Sequence, residues 1–178
     1  MYKTLCDIKL SKENCNYQEE IRQLKAEIAK LKICLDESKQ REEIVRMGIA
    51  VDFNQGLDAR RACDDPYILD LLSRVKWIRH IRFACDTRAQ IEPVLKCIRE
   101  LEQRGVNRHR FFVYCLVKEI DDALYRLNIF REMHINPFAQ PYRDFDNKIR
   151  PTVEQRRVAH WCNKKSVFYS CEFKNFRL

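Results

Sequence analysis

The chain has 178 residues, 46% of them hydrophobic, which is room for one core-bearing domain with an appendage. Its formal net charge of +8 comes from 34 Lys and Arg interleaved with 26 acids, so the charge reads as a solvated surface and not as a nucleic-acid-binding stripe, although the segment after Pro151 is locally basic. No apolar run approaches the roughly 18 residues that span a bilayer, and residues 1–10 carry Lys3, Asp7 and Lys9 where a signal peptide has its apolar core, so a cytoplasmic protein without a membrane partner is expected.

From Tyr17 to Val45 the apolar period is that of a helix, with Ile21, Leu24, Ile28, Leu31 and Leu35 at alternating spacings of three and four. This is a coiled-coil seam. Ile21, Ile28 and Leu35 take the a positions and Leu24 and Leu31 the d positions, while Glu20 and Glu27 at g can face Lys25 and Lys32 at e of a partner. Ile at a with Leu at d favours a parallel homodimer. Ser38 and Glu42 then fall on the seam and weaken it. An amphipathic helix packed on its own domain is the alternative.

After Val45 strands alternate with helices. The run from Gly48 to Phe53 reads as a buried strand ending in an Asn-Gln-Gly turn. Asp64 or Asp65 can cap the next helix with Pro66 at its first position, and Ile68, Leu69, Leu71, Leu72 and Val75 give it an apolar face. A second strand runs from Ile78 to Cys85 and ends at Asp86. A helix with Ile91, Val94, Leu95, Ile98 and Leu101 on one side leads to Gly105, a C′ residue. Phe111 to Val117 is apolar throughout and reads as a strand buried on both faces, followed by a helix from about Ile120 to Met133. Ile135 to Gln140 makes a fourth strand, and Thr152 with Gln155 is a capping-box signature opening the last helix. The aromatic tail from Ser166 is expected to be extended.

Consecutive strand-helix-strand units imply parallel pairing with right-handed crossovers. Four units are too few to close a barrel, so the expected fold is α/β: an open sheet covered on both faces, or a partial parallel (βα) barrel. The expected organisation is a coiled-coil helix over 1–46, the (βα) units over 47–165 and an aromatic, basic tail over 166–178.

The nine cysteines lie nine or more residues apart, with no C-x-x-C pair and an odd total, which points to reduced, mostly buried thiols. A zinc site from His160, Cys162 and Cys171 lacks a second close pair of ligands. His80, His109 and His134 sit in or beside apolar elements and read as structural. There is no G-x-S-x-G, no phosphate-cradling glycine loop and no orienting acid for a Cys162–His160 pair.

The order Phe53-Asn54-Gln55-Gly56-Leu57-Asp58-Ala59-Arg60, Ile81-Arg82-Phe83-Ala84-Cys85-Asp86, Val113-Tyr114-Cys115-Leu116-Val117, Leu124-Tyr125-Arg126, Pro137-Phe138-Ala139-Gln140-Pro141-Tyr142 and His160-Trp161-Cys162-Asn163 resembles the second part of radical S-adenosylmethionine proteins. The resemblance spans roughly residues 49–163. It implies a partial barrel of six strand-helix units that holds a [4Fe-4S] cluster and S-adenosylmethionine at the C-terminal ends of its strands, and reductive cleavage of that cofactor to a deoxyadenosyl radical. In that family a Cys-x3-Cys-x2-Cys loop after the first strand binds three irons. This chain holds counterparts of only the third to sixth strands. It has neither the cysteine triad nor the family's glycine-rich segment. No cofactor is therefore expected to bind stably to this chain alone, since thiolates fix such clusters.

Carried over by position, the resemblance places Asn54, Gln55, Asp58 and Arg60 at the barrel mouth, Asp86 near the cofactor ribose, and Gln140 and Tyr142 on the last strand. The plain structural alternatives are that Gly56 supplies a positive φ, that Asp58 and Arg60 pair with each other or cap a helix, and that Asp86 is a helix cap. Three functions are then in play. The chain is a truncated or split radical protein whose second chain supplies the cluster strands, or a non-catalytic scaffold dimerised by its coiled coil. The third is nucleic-acid binding on Trp161, Phe168, Tyr169 and Phe173 as stacking platforms, and aromatics at those spacings are more often core or edge residues.

Overall fold

The computed structural model describes residue 17, residues 19–32, residue 39 and residues 42–177. The chain divides into two compact units, Met1–Met47 and Gly48–Leu178.

In the first unit residues 19–32 and 42–46 are helical. The apolar stripe read from the sequence is displayed on the first of these, where Ile21, Leu24, Ile28 and Leu31 are 45, 53, 51 and 63% exposed. Leu35 and Ser38, the next seam positions, lie outside the described residues.

The second unit is mixed α/β, with short parallel sheets and no closed barrel among the described residues. Its strands are β1 (Ala50–Val51), β2 (Lys76–Trp77), β3 (Ile81–Ala84), β4 (Phe111–Val117) and β5 (Asn136–Pro141), and its helices are α1 (Ala59–Cys63), α2 (Pro66–Arg74), α3 (Ile91–Gln103), α4 (Ile120–Glu132), α5 (Val153–Asn163) and α6 (Lys165–Ser170). β1 pairs with β2, and β3, β4 and β5 are neighbours in that order, all parallel. A parallel bridge between Leu57 and Phe83 continues the first pairing, with the Leu57 N–H on the Arg82 carbonyl at 2.7 Å and the Ala84 N–H on the Leu57 carbonyl at 3.0 Å. With that bridge, spatial order follows chain order.

The local reasons for the helices are those the sequence suggests. Asp65 caps α2, accepting from the Tyr67 N–H, with Pro66 at its first position. Gly105 follows α3 at φ +88°, in the left-handed conformation that costs glycine least. Thr152 and Gln155 form a reciprocal capping box at α5. Three expectations fail. The strand expected over Ile78–Cys85 is shorter, Ile81–Ala84, and a separate two-residue strand, Lys76–Trp77, precedes it, because the chain leaves the ladder between Trp77 and Ile81. Asp58, placed at the mouth by the resemblance, caps the five-residue helix α1, as the plain structural alternative has it. The aromatic tail is not extended: it folds as α6 and a 3-10 turn over Phe173–Asn175.

β4 is not buried on both faces. Phe111, Val113, Cys115 and Val117 are fully buried and alternate with half-exposed Phe112, Tyr114 and Leu116. With Ile81, Phe83, Cys85 and Ala139, the buried set forms one core with Val94, Ile98 and Leu101 of α3, Leu127 and Phe130 of α4 and Val158 and Trp161 of α5. Among the described residues of this unit, helices cover one face of the sheet. The other carries an aromatic cluster in which Phe112 contacts His80, Tyr114 and Phe138 at ring-centroid distances of 5.4, 5.3 and 5.9 Å. Phe112, Tyr114 and Leu116 are apolar but belong to this open face, so a continuous apolar run concealed a period of two.

Candidate functional site

Where the parallel strands reach their C-terminal ends, residues from four successive segments meet around a cavity of about 420 Å3. The loop after β1 contributes Asn54, Gln55 and Gly56, the end of β3 contributes Ala84 and Asp86, β4 contributes Tyr114 and Leu116, and β5 contributes Gln140. Four of the seven residues carried over by resemblance, Asn54, Gln55, Asp86 and Gln140, are thus brought together. Carboxyl ends of parallel strands are where α/β folds place ligands, because the loops there vary while the sheet stays fixed.

Asp86 is held in place by its neighbours. Asp86 is not a helix cap. Thr87 and Gln90 form the capping box of the following turn, the Asp86 N–H donates to Gln90 Oε1 at 2.7 Å, and Asp86 Oδ1 accepts the Leu116 N–H at 3.0 Å across to β4. The carboxylate therefore faces the cavity from a fixed position between two strands. Beneath it lies Arg126 of α4, 1% exposed. Its guanidinium donates to the Asp122 carboxylate at 2.9 Å, to the Leu116 carbonyl at 2.8 Å and to the Cys85 carbonyl. Asp122 also pairs with Arg88 at 2.9 Å. A buried cation is tolerated only when its donors are taken up in this way, and two of its acceptors belong to Leu116 and to the residue before Asp86.

The first segment is anchored from the open face. Arg82 of β3 pairs with Asp52 and donates to the Phe53 carbonyl at 3.1 Å, and the Tyr114 hydroxyl donates to the Asn54 carbonyl at 3.4 Å. Gly56 is needed for close approach and not for its φ, which is not positive. A Cβ there would lie 2.8 Å from the Ala84 nitrogen and 2.9 Å from the Phe83 carbonyl carbon.

The remaining three residues are placed elsewhere. Asp58 caps α1 and makes a two-point pair with Arg60, with Oδ1 accepting from Nε at 3.0 Å and Oδ2 from Nη2 at 2.8 Å. That hydrogen bonding holds the Asp58 carboxyl below its ordinary range and raises the Arg60 guanidinium above its own. Asp58 borders an adjoining, more apolar hollow with Phe53, Leu57 and Leu72, which shares Gln55 and Gly56 with the mouth. Tyr142 lies past the end of β5, its N–H on the Val117 carbonyl at 3.0 Å and its ring 5.3 Å from the Lys118 ammonium. The sequence signal that separates these residues from the mouth is distance along the strand, since Leu57 is the last laddered residue and Asp58 already belongs to the helix.

Arg82, Tyr114 and Arg126 lie within the motifs of the resemblance without a role there, and the structure gives them positioning roles. An arginine inside an apolar strand and another on the apolar side of a helix were the available signals.

The mouth offers amide donors and acceptors, one carboxylate and an aromatic wall, a set suited to holding hydroxyl and amino groups. Among the described residues no thiol or imidazole borders it. Cys85, Cys115 and Cys162 are buried beneath the sheet, where burial lifts the Cys162 thiol to about 12 and the Cys115 thiol well above its ordinary value. Among the described residues no three Cys, His, Asp or Glu side chains gather to hold a metal ion. The residues present fit the polar parts of a small molecule and do not fit an iron-sulfur cluster. His160 stacks on Phe176, Cys162 bonds toward the Pro137 carbonyl and Cys171 toward the Glu172 carbonyl, so each has other company. Trp161 and Phe168 are buried against each other at 4.8 Å, which removes them as stacking platforms for bases.

Among the described residues no helix is long and apolar enough to cross a membrane. No family model, curated protein or solved structure matches the chain.

Proposed function

We propose that residues 47–165 are the second part of a radical S-adenosylmethionine protein, a partial parallel (βα) barrel that is truncated or split and works in the cytoplasm. The observation that carries this reading is the convergence of Asn54, Gln55, Asp86 and Gln140 at the C-terminal strand ends, on a sheet whose spatial order equals its chain order. The open face supports it, because purely parallel sheets are stable with both faces covered, and among the described residues of this unit no helix lies over the aromatic cluster around Phe112. On this reading a second chain bearing Cys-x3-Cys-x2-Cys lays its strands along β1 and brings the cluster ligands that this chain lacks. When bound, the cluster and S-adenosylmethionine supply the radical chemistry. Asp86 would hold hydroxyl groups of the cofactor, and Asn54, Gln55 and Gln140 its polar edges.

The test is anaerobic reconstitution with iron and sulfide, first of this chain alone and then of the chain co-expressed with the open reading frames beside its gene. The expected result is cluster absorption and 5′-deoxyadenosine release only from a complex of two chains. A stable, iron-free chain that co-purifies with nothing would overturn the split reading.

The exposed stripe of Ile21, Leu24, Ile28 and Leu31 supports a second reading, a scaffold in which a parallel coiled coil joins two copies. Glu20 and Glu27 at g meet Lys25 and Lys32 at e only if the two helices run in the same direction and in register. Replacing Leu24 and Leu31 with Lys should halve the mass seen by light scattering, and an unchanged mass would sink this reading.

A further inference from the structure

Cys63 is the last residue of α1 and Cys97 sits mid-way along α3, yet their sulfurs are 2.7 Å apart. This is inside the usual contact distance of two thiols, and a disulfide bond of about 2.05 Å requires the atoms to close by only about 0.7 Å. The two cysteines differ in access. Cys63 is half-buried, while Cys97 is fully buried. Both thiols are already directed inward, Cys63 toward the Pro93 carbonyl at 3.0 Å and Cys97 toward the Ala59 carbonyl at 3.4 Å. The pair therefore ties both ends of α1 to α3, and α1 begins three residues after Gly56, the last of the mouth residues Asn54, Gln55 and Gly56.

We propose that Cys63 and Cys97 are a redox modification site, closing to a reversible disulfide that locks α1, and with it the loop bearing Asn54 and Gln55, onto α3. The oxidant is a low-molecular-weight disulfide, RSSR. Cys63, the accessible partner, loses its proton to solvent, and its thiolate attacks one sulfur of RSSR, forming Cys63–S–S–R and expelling RS−. Cys97 then loses its proton and attacks the Cys63 sulfur, breaking the mixed disulfide and expelling the second RS−. Both thiolates leave as RSH, so two protein thiols are oxidised and one disulfide is reduced. Burial raises the Cys97 thiol above its ordinary value, so the second step is the slow one and quickens with pH. The other buried cysteines, Cys85, Cys115 and Cys162, have no comparable access. This inference stands whether or not the mouth serves a radical cofactor.

The experiment treats the fully reduced native chain with oxidised glutathione at about pH 8, where thiolates are populated, caps the remaining thiols with N-ethylmaleimide and maps the unreduced peptides by mass. The expected result is one linked pair joining the Cys63 and Cys97 peptides, two fewer capped thiols and release by dithiothreitol. Amide exchange over residues 54–63 should slow by about tenfold in the linked form. In C97A, which keeps a small apolar side chain in the core, Cys63 should stop as the glutathione adduct. In C63A, Cys97 should stay unmodified. Three outcomes would overturn the proposal: Cys63 persisting as an adduct in the unsubstituted chain, Cys63 linked to a different cysteine, or Cys63 recovered entirely as the capped thiol.

Discussion

The two edges of the parallel sheet are finished differently. On β5 the main chain of Ala139 faces away from β4, since the Tyr142 N–H on Val117 fixes the alternation of the strand. Both outward groups are satisfied by one side chain: the Ala139 N–H donates to Asn163 Oδ1 at 2.8 Å, and Asn163 Nδ2 donates to the Ala139 carbonyl at 2.9 Å. The amide of Asn163 stands in for a neighbouring strand and ends the sheet. On β1 the Val51 carbonyl accepts the Ile78 N–H, which leaves the main chain of Ala50 and Asp52 turned outward beside Ile49 and Phe53, each 46% exposed. An unprotected edge next to exposed apolar side chains is the kind that takes up another strand. The contrast teaches that the sheet stops at β5 through its own side chains, whereas at β1 nothing in this unit performs that task among the described residues.

Both edges hang on the buried Arg126 at the centre, so the largest expected effect lies there. R126M leaves the Cys85 and Leu116 carbonyls without their buried donor and should cost about 3–5 kcal/mol. In urea denaturation this appears as a midpoint loss large enough to blur both edges together. Next is Gly56, where the open side approaches β3. The Cβ of G56A meets main-chain atoms of Phe83 and Ala84, which cannot rotate away, so the Leu57 bridge should be lost at a cost of about 1–3 kcal/mol. Hydrogen exchange should then quicken at Ala84 and stay unchanged at Ala139. N163A does the reverse. It removes two hydrogen bonds and should cost about 1–2 kcal/mol, with faster exchange at Ala139 and concentration-dependent association as β5 becomes a second open edge.

Much of this arrangement is legible in the sequence, and the boundary has a physical cause. Helices announce themselves through short-range chemistry, as at Asp65-Pro66, Gly105 and the Thr152–Gln155 box. Asn54, Gln55, Asp86 and Gln140 are carried over from the resemblance, and the structure places all four at strand ends around one cavity. What is hidden depends on partners far along the chain. Asn163 is an ordinary helix-terminal asparagine until it meets Ala139, 24 residues earlier. Arg126 is one of many arginines until its acceptors, 10 and 41 residues distant, are known. The open face of β4 is hidden for another reason: Phe112, Tyr114 and Leu116 are apolar without being covered by helices, and composition alone does not distinguish a core from a face awaiting one.

The smallest expected effect on stability is the most discriminating. Ala50 is exposed and its N–H points away from β2, so A50P removes a donor that no strand of this unit uses. Proline is tolerated on the outer side of an edge strand for that reason, and the change should move the stability of the isolated chain by no more than about 0.5 kcal/mol. The same substitution removes the donor that an incoming parallel strand would need. If β1 receives the strands of a second chain, A50P should abolish co-purification while leaving the urea midpoint in place. If complex formation survives A50P, the partner approaches by another surface, and the difference between the two edges is a difference in finish without consequence for assembly.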